Sequence, residues 1–244
     1  MTDAYSNRLI DSGARHSAPL HSHDQGQLTY IERGVLSLEA EGSIWAIPPG
    51  RLHWIPADVR HASRSHGGVR FWLPLVSEEF ARRLPDRIIV LEASPLLVSA
   101  LDRLRSLRPD DAFTAPLIDV IAHEINAGAE DVPGMRLPTP PRMRDWALAF
   151  LAAPSIKTGI DAAAQAVAMS RRSFTRHFER EVGMTFAAWK RAAIVHRATV
   201  RLAEGESVGQ VALEAGYESV SAFIAMFRSV SGRPPGQIRR RPEA

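Results

Sequence analysis

The sequence predicts a two-domain α+β protein: an antiparallel β-barrel with a helical pair, then an all-α domain holding two helix-turn-helix units. Three observations carry this. Between about residues 18 and 76, short runs rich in Leu, Ile, Val, Trp and Tyr are punctuated by Gly34, Gly42, Pro48–Gly50 and Gly67–Gly68, a spacing that suits a small sandwich or barrel. From residue 95 the apolar residues recur with a helical period. Near the C-terminus the chain repeats itself. AVAMSRRSFTRHFEREVG at 166–183 and AGYESVSAFIAMFRSVSG at 215–232 set Phe174, Phe178 and Gly183 opposite Phe223, Phe227 and Gly232, each 49 positions later.

Each element has its own signal. Leu97, Leu101 and Leu104 share one helix face, as do Leu117, Ile118, Ile121 and Ile125, and Pro95 and Pro116 stand near the helix starts, where proline is tolerated. We read 95–107 and 115–127 as an antiparallel pair whose apolar faces need the barrel or a second subunit to cover them, and assign it to dimerisation. Residues 128–141, GAEDVPGMRLPTPP, hold four prolines and two glycines and form the linker. The expected division is therefore a sensor and dimerisation domain over 1–127, a linker over 128–141 and a DNA-binding domain over 142–244.

Beyond the linker, Thr158 with Asp161 and Ser207 with Gln210 have capping-box spacing and open the first helix of each repeat. Ser170 and Ser219 are the expected N-caps of the second helices. Residues 186–203, FAAWKRAAIVHRATVRLA, read as one helix of roughly 27 Å, against the roughly 34 Å between successive major-groove segments. Pro234 and Pro235 open a last short helix ending in Arg239–Arg241.

Charge follows the same division. Residues 142–244 carry 16 Lys and Arg against 9 Asp and Glu, whereas residues 1–141 carry 14 against 18. A basic C-terminal half beside an acidic N-terminal one points to a polyanionic partner for the former. Its basic residues are almost all Arg, the side chain suited to bidentate contact with phosphates and guanine edges. The absence of cysteine excludes disulfides and thiolate metal sites. MTDAYSNRLI has no basic leader and no run approaches 18 apolar residues, so a cytoplasmic protein without a membrane segment is expected.

In a helix-turn-helix the second helix enters the major groove of double-stranded DNA. Phe174, Phe178, Phe223 and Phe227 read as its core anchors, which leaves Arg171, Arg172, Ser173, Thr175 and Arg176 outward in the first copy. Arg172 and Arg176, four apart, can reach base edges or flanking phosphates. SRRSFTRHFEREVG at 170–183, RATVRLAEGESVGQVALEAGYESVSAFIAMFR at 197–228 and GRPP at 232–235 together make segment 142–241 resemble the DNA-binding domain of the AraC/XylS family of bacterial transcription regulators. The resemblance implies seven helices, two helix-turn-helix units joined by a long helix, a base contact at Arg176, and promoter DNA as partner, with RNA polymerase for an activator. Family members often carry Arg or Lys where this chain has Ala225. The second copy, with Val220, Ser221 and Ala225 outward, is expected to read sequence weakly, through thymine methyls or phosphate anchoring by Ser219 and Ser221. The first copy dominates.

In the N-terminal half, HSHDQGQLTYIERG at 21–34 resembles the first motif of the cupin superfamily, with Gln27 in the place of Glu. The second motif fits in two registers, one on Gly42, Pro48, Gly50 and His53, the other on Gly50, Pro56, Asp58 and His61. The first leaves too few residues after Gly34 for the intervening strands. The second makes RLHWI a strand and turns His61 toward the pair His21 and His23, which fall on one side of a strand. Neutral imidazoles of His21, His23 and His61 with the Gln27 amide oxygen suit a divalent transition metal, Zn, Ni or Fe. The other reading is a metal-free organic pocket. Tyr30, Trp45, Trp54 and Trp72 are candidates to line that pocket, against a core role for each. His53, His66 and His123 are read as structural. The function expected is a homodimeric one-component regulator governed by a small-molecule effector; the alternative is a cupin metalloenzyme with an accessory DNA-binding domain. Gln27 argues against the alternative, because an anionic ligand helps bind and tune a metal.

Overall fold

The protein is described here from a computed structural model covering residues 5–108, 110–128, 132 and 134–238. It divides into two compact units, residues 1–41 with 47–133, and residues 42–46 with 134–244. Its strands are β1 (Leu9–Ser12), β2 (Ser17–His21), β3 (Gly26–Arg33), β4 (Leu36–Ala40), β5 (Ser43–Ile47), β6 (Arg51–Ile55), β7 (His61–Ser65), β8 (Val69–Trp72), β9 (Leu75–Val76), β10 (Ile89–Glu92) and β11 (Met135–Arg136). Its α-helices are α1 (Glu78–Ala81), α2 (Pro95–Ser106), α3 (Thr114–Ala127), α4 (Pro141–Ala152), α5 (Ile160–Ala166), α6 (Arg171–Val182), α7 (Phe186–Ala203), α8 (Val208–Glu214) and α9 (Val220–Ser231).

In the first unit one antiparallel sheet runs β1-β8-β3-β6-β10, with β9 beside β3. A second layer pairs β7 with β4 on one side and β2 on the other. Side chains alternate across each strand. On one face of the first sheet Leu28, Leu52, Trp54, Trp72, Ile89 and Leu91 pack against Leu97, Leu101 and Leu104 of α2 and Ile118, Ile121 and Ile125 of α3. Ser94 caps α2 by accepting the Leu97 amide proton at 3.0 Å. The Tyr5 hydroxyl reaches the end of α2, donating to the Leu104 carbonyl at 2.6 Å.

Two expectations need correction. The layers do not close into a barrel, since among the described residues β1 and β10 end the first sheet without a further neighbour. And the apolar faces of α2 and α3 are covered by that sheet, not left for a second subunit, so they no longer argue for dimerisation. The turn from β3 to β4 demands glycine. Gly34 has φ +81°, and a Cβ there would stand 2.4 Å from the Gly68 carbonyl oxygen.

In the second unit β5 and β11 pair as a short ribbon, in the register Met135 with Ile44 and Arg136 with Ser43. Part of the expected linker is thus ordered: Met135 and Leu137 are buried with the helices, while residues 129–131 and 133 lie outside the described set. The helices build two adjacent cores. One holds Met143, Ala147, Phe150, Phe174, Phe178, Phe186 and Trp189. The other holds Ile194, Ala198, Leu202, Val211, Ala212, Phe223 and Phe227. The long helix α7 contributes to both, which makes it the common support of the two helix-turn-helix units.

The cap of α5 is Gly159 without a side-chain bond, not Thr158. The Thr158 carbonyl instead accepts from Lys190 Nζ at 2.9 Å, fastening the loop to α7. The Ser207 cap of α8 is as expected, accepting from the Gln210 amide at 3.2 Å. Pro235–Gln237 form a single 3-10 turn in place of the last helix, and Arg239–Arg241 fall outside the described residues. No described helix is long and apolar enough to cross a membrane.

Candidate functional site

The two second helices, α6 and α9, share one construction. The Ser170 hydroxyl accepts from the Ser173 amide at 3.2 Å and the Ser219 hydroxyl from the Ala222 amide at 3.4 Å. Both helices end at a left-handed glycine, Gly183 or Gly232, whose N–H closes on Glu179 or Arg228. The buried phenylalanines fix which face turns outward. On α6 that face carries Arg171, Arg172 and Arg176, all exposed. Arg171 lies 3.4 Å from Asp161, a weak exposed pair that leaves its guanidinium available. Thr175 is half-buried and its hydroxyl donates to the Arg171 carbonyl at 2.9 Å, so it is committed within the helix. Ser170 and Ser219 are likewise committed as caps.

On α9 the outward residues are Val220, 44% exposed, Ser221, Ala225 and Ile224, 37% exposed. Ile224 did not emerge from the motif reading. The 49-residue offset would have found it, because it matches Thr175. The second unit is held by Arg201, which forms ion pairs with Glu206 and Glu214 and so ties α7 to α8. These two carboxylates raise the Arg201 pKa further.

In the first unit His21, His23 and His61 meet. One ligand nitrogen from each lies within 4.8 Å of the others. His21 and His61 are direct partners across the β2–β7 pair, past a bulge in β2. His23 follows in the turn, where its carbonyl accepts the Asp58 amide proton at 2.8 Å. Asp58 has φ +62°, the left-handed conformation that the second cupin-like register assigns to glycine and that Asp tolerates. The three rings are held alike: Nδ1 of His21 bonds the Pro19 carbonyl at 2.7 Å, Nδ1 of His23 that of Gln25 at 2.5 Å, and Nδ1 of His61 that of Val59 at 2.9 Å. A carbonyl only accepts, so each Nδ1 carries the proton, and in the neutral rings of His21 and His61 Nε2 keeps its lone pair. That is the tautomer a metal ligand needs, with its orientation fixed from behind. Gln27 Oε1 stands 3.1 Å from His23 Nε2, and its amide nitrogen donates to Thr29 Oγ1 at 3.1 Å. His61 Nε2 is buried without a partner. Burial and the neighbouring His21 and His23 push the His61 pKa down, against the bond to Val59, which favours the charged ring.

His53 belongs to the same interior. It pairs with Thr29 across β3–β6, on the face opposite Leu52 and Trp54, and is fully buried. Neither of its ring nitrogens has a hydrogen-bond partner. Burial first, and then His61, push its pKa down to about 3, so it is a neutral imidazole. The alternation of RLHWI could have shown that His53 faces inward with Thr29; its unpartnered state could not be read from sequence.

Of the four aromatic pocket candidates, Tyr30, Trp54 and Trp72 meet in one core and Trp45 lies apart from them. Trp54 and Trp72 are fully buried in the core beneath α2 and α3, where their indole N–H groups donate to Pro85 carbonyl and Asn7 Oδ1. Tyr30 packs at the margin of that core. Trp45 lies on β5, against Gly134 in the second unit. None of them lines the cavity between α1 and α3, which is bounded by Phe80, Arg83, Thr114 and Ile118.

Residues 4–130 match the AraC-like ligand binding domain and residues 163–241 a helix-turn-helix domain. The chain is 27% identical over 224 residues to the HTH-type transcriptional regulator NimR of Escherichia coli K12, covering 91% of this chain and 82% of that protein. It is 30% identical over 104 residues to the HTH-type transcriptional regulator RipA of Corynebacterium glutamicum, covering 43% of this chain and 31% of that one. Among solved structures, ToxT of Vibrio cholerae aligns over 97% of both chains at 12% identity and a TM-score of 0.41. Both relatives are transcriptional regulators, and nothing in the comparison supports the metalloenzyme alternative. The chain belongs to the AraC family of transcription regulators, with a ligand-binding domain ahead of a helix-turn-helix DNA-binding domain.

Proposed function

We propose that this regulator binds promoter DNA sequence-specifically through α6 and α9, under control of a small molecule, a divalent transition metal, or both, held at His21, His23 and His61 with Gln27. The observation that carries the DNA half is the pair Arg172 and Arg176, exposed four residues apart on the second helix of a helix-turn-helix. Guanine offers two acceptors to one guanidinium fork, and flanking phosphates take the rest. We take 142–244 as the DNA-binding domain, 128–141 as the linker and 1–127 as the sensor.

For the sensor, the donor set fits a metal: three imidazoles are tethered through Nδ1, and one Nε2 is buried without a partner. Zn, Ni or Fe suits such nitrogens. When bound, the metal supplies a positive, Lewis-acidic point, because three neutral nitrogens and an amide oxygen leave its charge uncancelled. An anionic or electron-rich effector completes that shell. Its binding regulates only if it favours one DNA-competent state over another. A cytoplasmic homodimer, touching RNA polymerase at promoters it activates, completes the reading.

The test is fluorescence anisotropy of the full chain on the DNA upstream of its own gene and on a scrambled duplex, with and without Zn, Ni and Fe. Preference for the native duplex, shifted by one of the metals, is expected. Equal binding to both duplexes at physiological salt would overturn the sequence-specific reading.

A further inference from the structure

Resting on that DNA-binding reading, we infer that α9 is a thymine reader, with Val220 and Ile224 receiving the C5-methyl groups of an A·T-rich half-site while α6 reads guanine in the other. The two helices have the same cap, the same buried phenylalanine pair and the same glycine stop. Position for position, however, α6 carries Arg171, Arg172, Thr175 and Arg176 where α9 carries Val220, Ser221, Ile224 and Ala225. From Val220 to Phe227 no side chain is ionisable.

Val220 and Ile224 are not displaced core residues. Phe223 and Phe227 fill the core at 0% exposure, while Val220 and Ile224, beside them on the helix, remain 44% and 37% exposed. Four apart, they form one apolar strip at the positions that Arg171 and Thr175 take in α6, beside Ser221 and Ala225 at those of Arg172 and Arg176. In the major groove the thymine methyl is the apolar group on offer, and guanine, cytosine and adenine present donors and acceptors. An isoleucine laid over those polar edges would strip their water without replacing the hydrogen bonds. A methyl group loses nothing by the same contact. Ser221, whose hydroxyl both donates and accepts, tolerates either neighbouring edge, whereas the Ser219 hydroxyl is already held by the Ala222 amide. The 18 residues of α7 between the units set the half-sites apart, at roughly the spacing of successive major-groove segments.

The experiment begins with selection of bound duplexes from a random pool by the full chain. A guanine-containing element and a thymine-rich element about one helical turn apart are expected. In the selected duplex, thymines of the second element are then replaced by deoxyuridine, which removes only the methyl. Affinity should fall about threefold to fourfold per contacted methyl, the transfer value of one methyl-sized group. Ile224→Ala should show the same loss on the thymine duplex and little further loss on the deoxyuridine duplex. Ile224→Ser serves as a second variant, and thermal melts establish that both stay folded, as exposed substitutions should. Replacing guanine by 7-deazaguanine in the first element should weaken binding in wild type and Ile224→Ala alike.

Specific binding that ignores deoxyuridine throughout the second element overturns the proposal and leaves the regulator reading standing. So does an Ile224→Ala variant that binds DNA normally but changes transcription, which would assign the strip to a protein partner. Selection that yields no motif at all strikes the DNA-binding reading itself.

Discussion

His21 and His61 face each other across the β2–β7 pair with ring centroids 4.4 Å apart, and each Nδ1 is tied to the carbonyl two residues earlier. The His61 Nε2 lone pair is buried without a partner, which is costly unless something satisfies it. A metal does so, and His23 supplies the third nitrogen. Protein purified without an affinity tag should contain near-stoichiometric metal by elemental analysis, lost in a His21→Ala, His23→Ala double variant. Loading should weaken below about pH 6, because ligating imidazoles must be neutral. Wild type that stays metal-free after exposure to Zn, Ni and Fe would leave the organic-effector reading alone.

His53 should make the metal-free protein acid-sensitive. Its folded pKa of about 3 lies below the ordinary 6.5, so the unfolded chain takes the proton first. The stability linked to it is therefore complete above pH 6.5 and is lost as pH falls toward 3, about 1.4 kcal/mol by pH 5.5. Urea unfolding at pH 7.5 and 5.5 should show His53→Leu losing less stability between the two by that amount. An equal loss in both proteins would mean that the ring is hydrated or partnered.

Arg176 and Ser219 should separate cleanly in their effects. Arg176→Ala should lower specific DNA affinity by about 1–3 kcal/mol with its melting temperature unchanged. Ser219→Ala should cost about 0.5–2 kcal/mol of stability, because it deprives the Ala222 amide of its cap. A Ser219→Ala protein that keeps its stability but loses DNA affinity would show the hydroxyl on phosphate instead.

Deleting 95–127 should not give a folded monomer. It strips the cover from Leu28, Leu52, Trp54 and Trp72, and the exposed apolar sheet should aggregate or unfold. The single change Leu101→Ala should already cost about 2–5 kcal/mol. Sedimentation and circular dichroism distinguish the outcomes, and a well-folded truncated chain would contradict the packing described.

The sequence by itself determined the elements whose signals are local. The 49-residue offset, the serines before each second helix and the phenylalanines four apart are enough to specify α6 and α9, because caps and a 3.6-residue period act within a few turns. The linkage of His61 to His21 and His23 was also legible, through a spacing that left one workable register. Thr158 was misread because a capping-box spacing describes what a side chain can do, and here its backbone is engaged by Lys190 from a distant helix.

Only the tertiary structure decided the rest, since these facts depend on which face meets which. The apolar stripe of α2 looks the same in sequence whether a sheet or a second subunit covers it. The tryptophans expected around a ligand became core, because alternation tells which side of β6 or β8 a residue takes but not what lies on that side. His53, one residue from Trp54, falls on the opposite face among the imidazoles, and its two unpartnered nitrogens follow from neighbours brought in by β3 and β7.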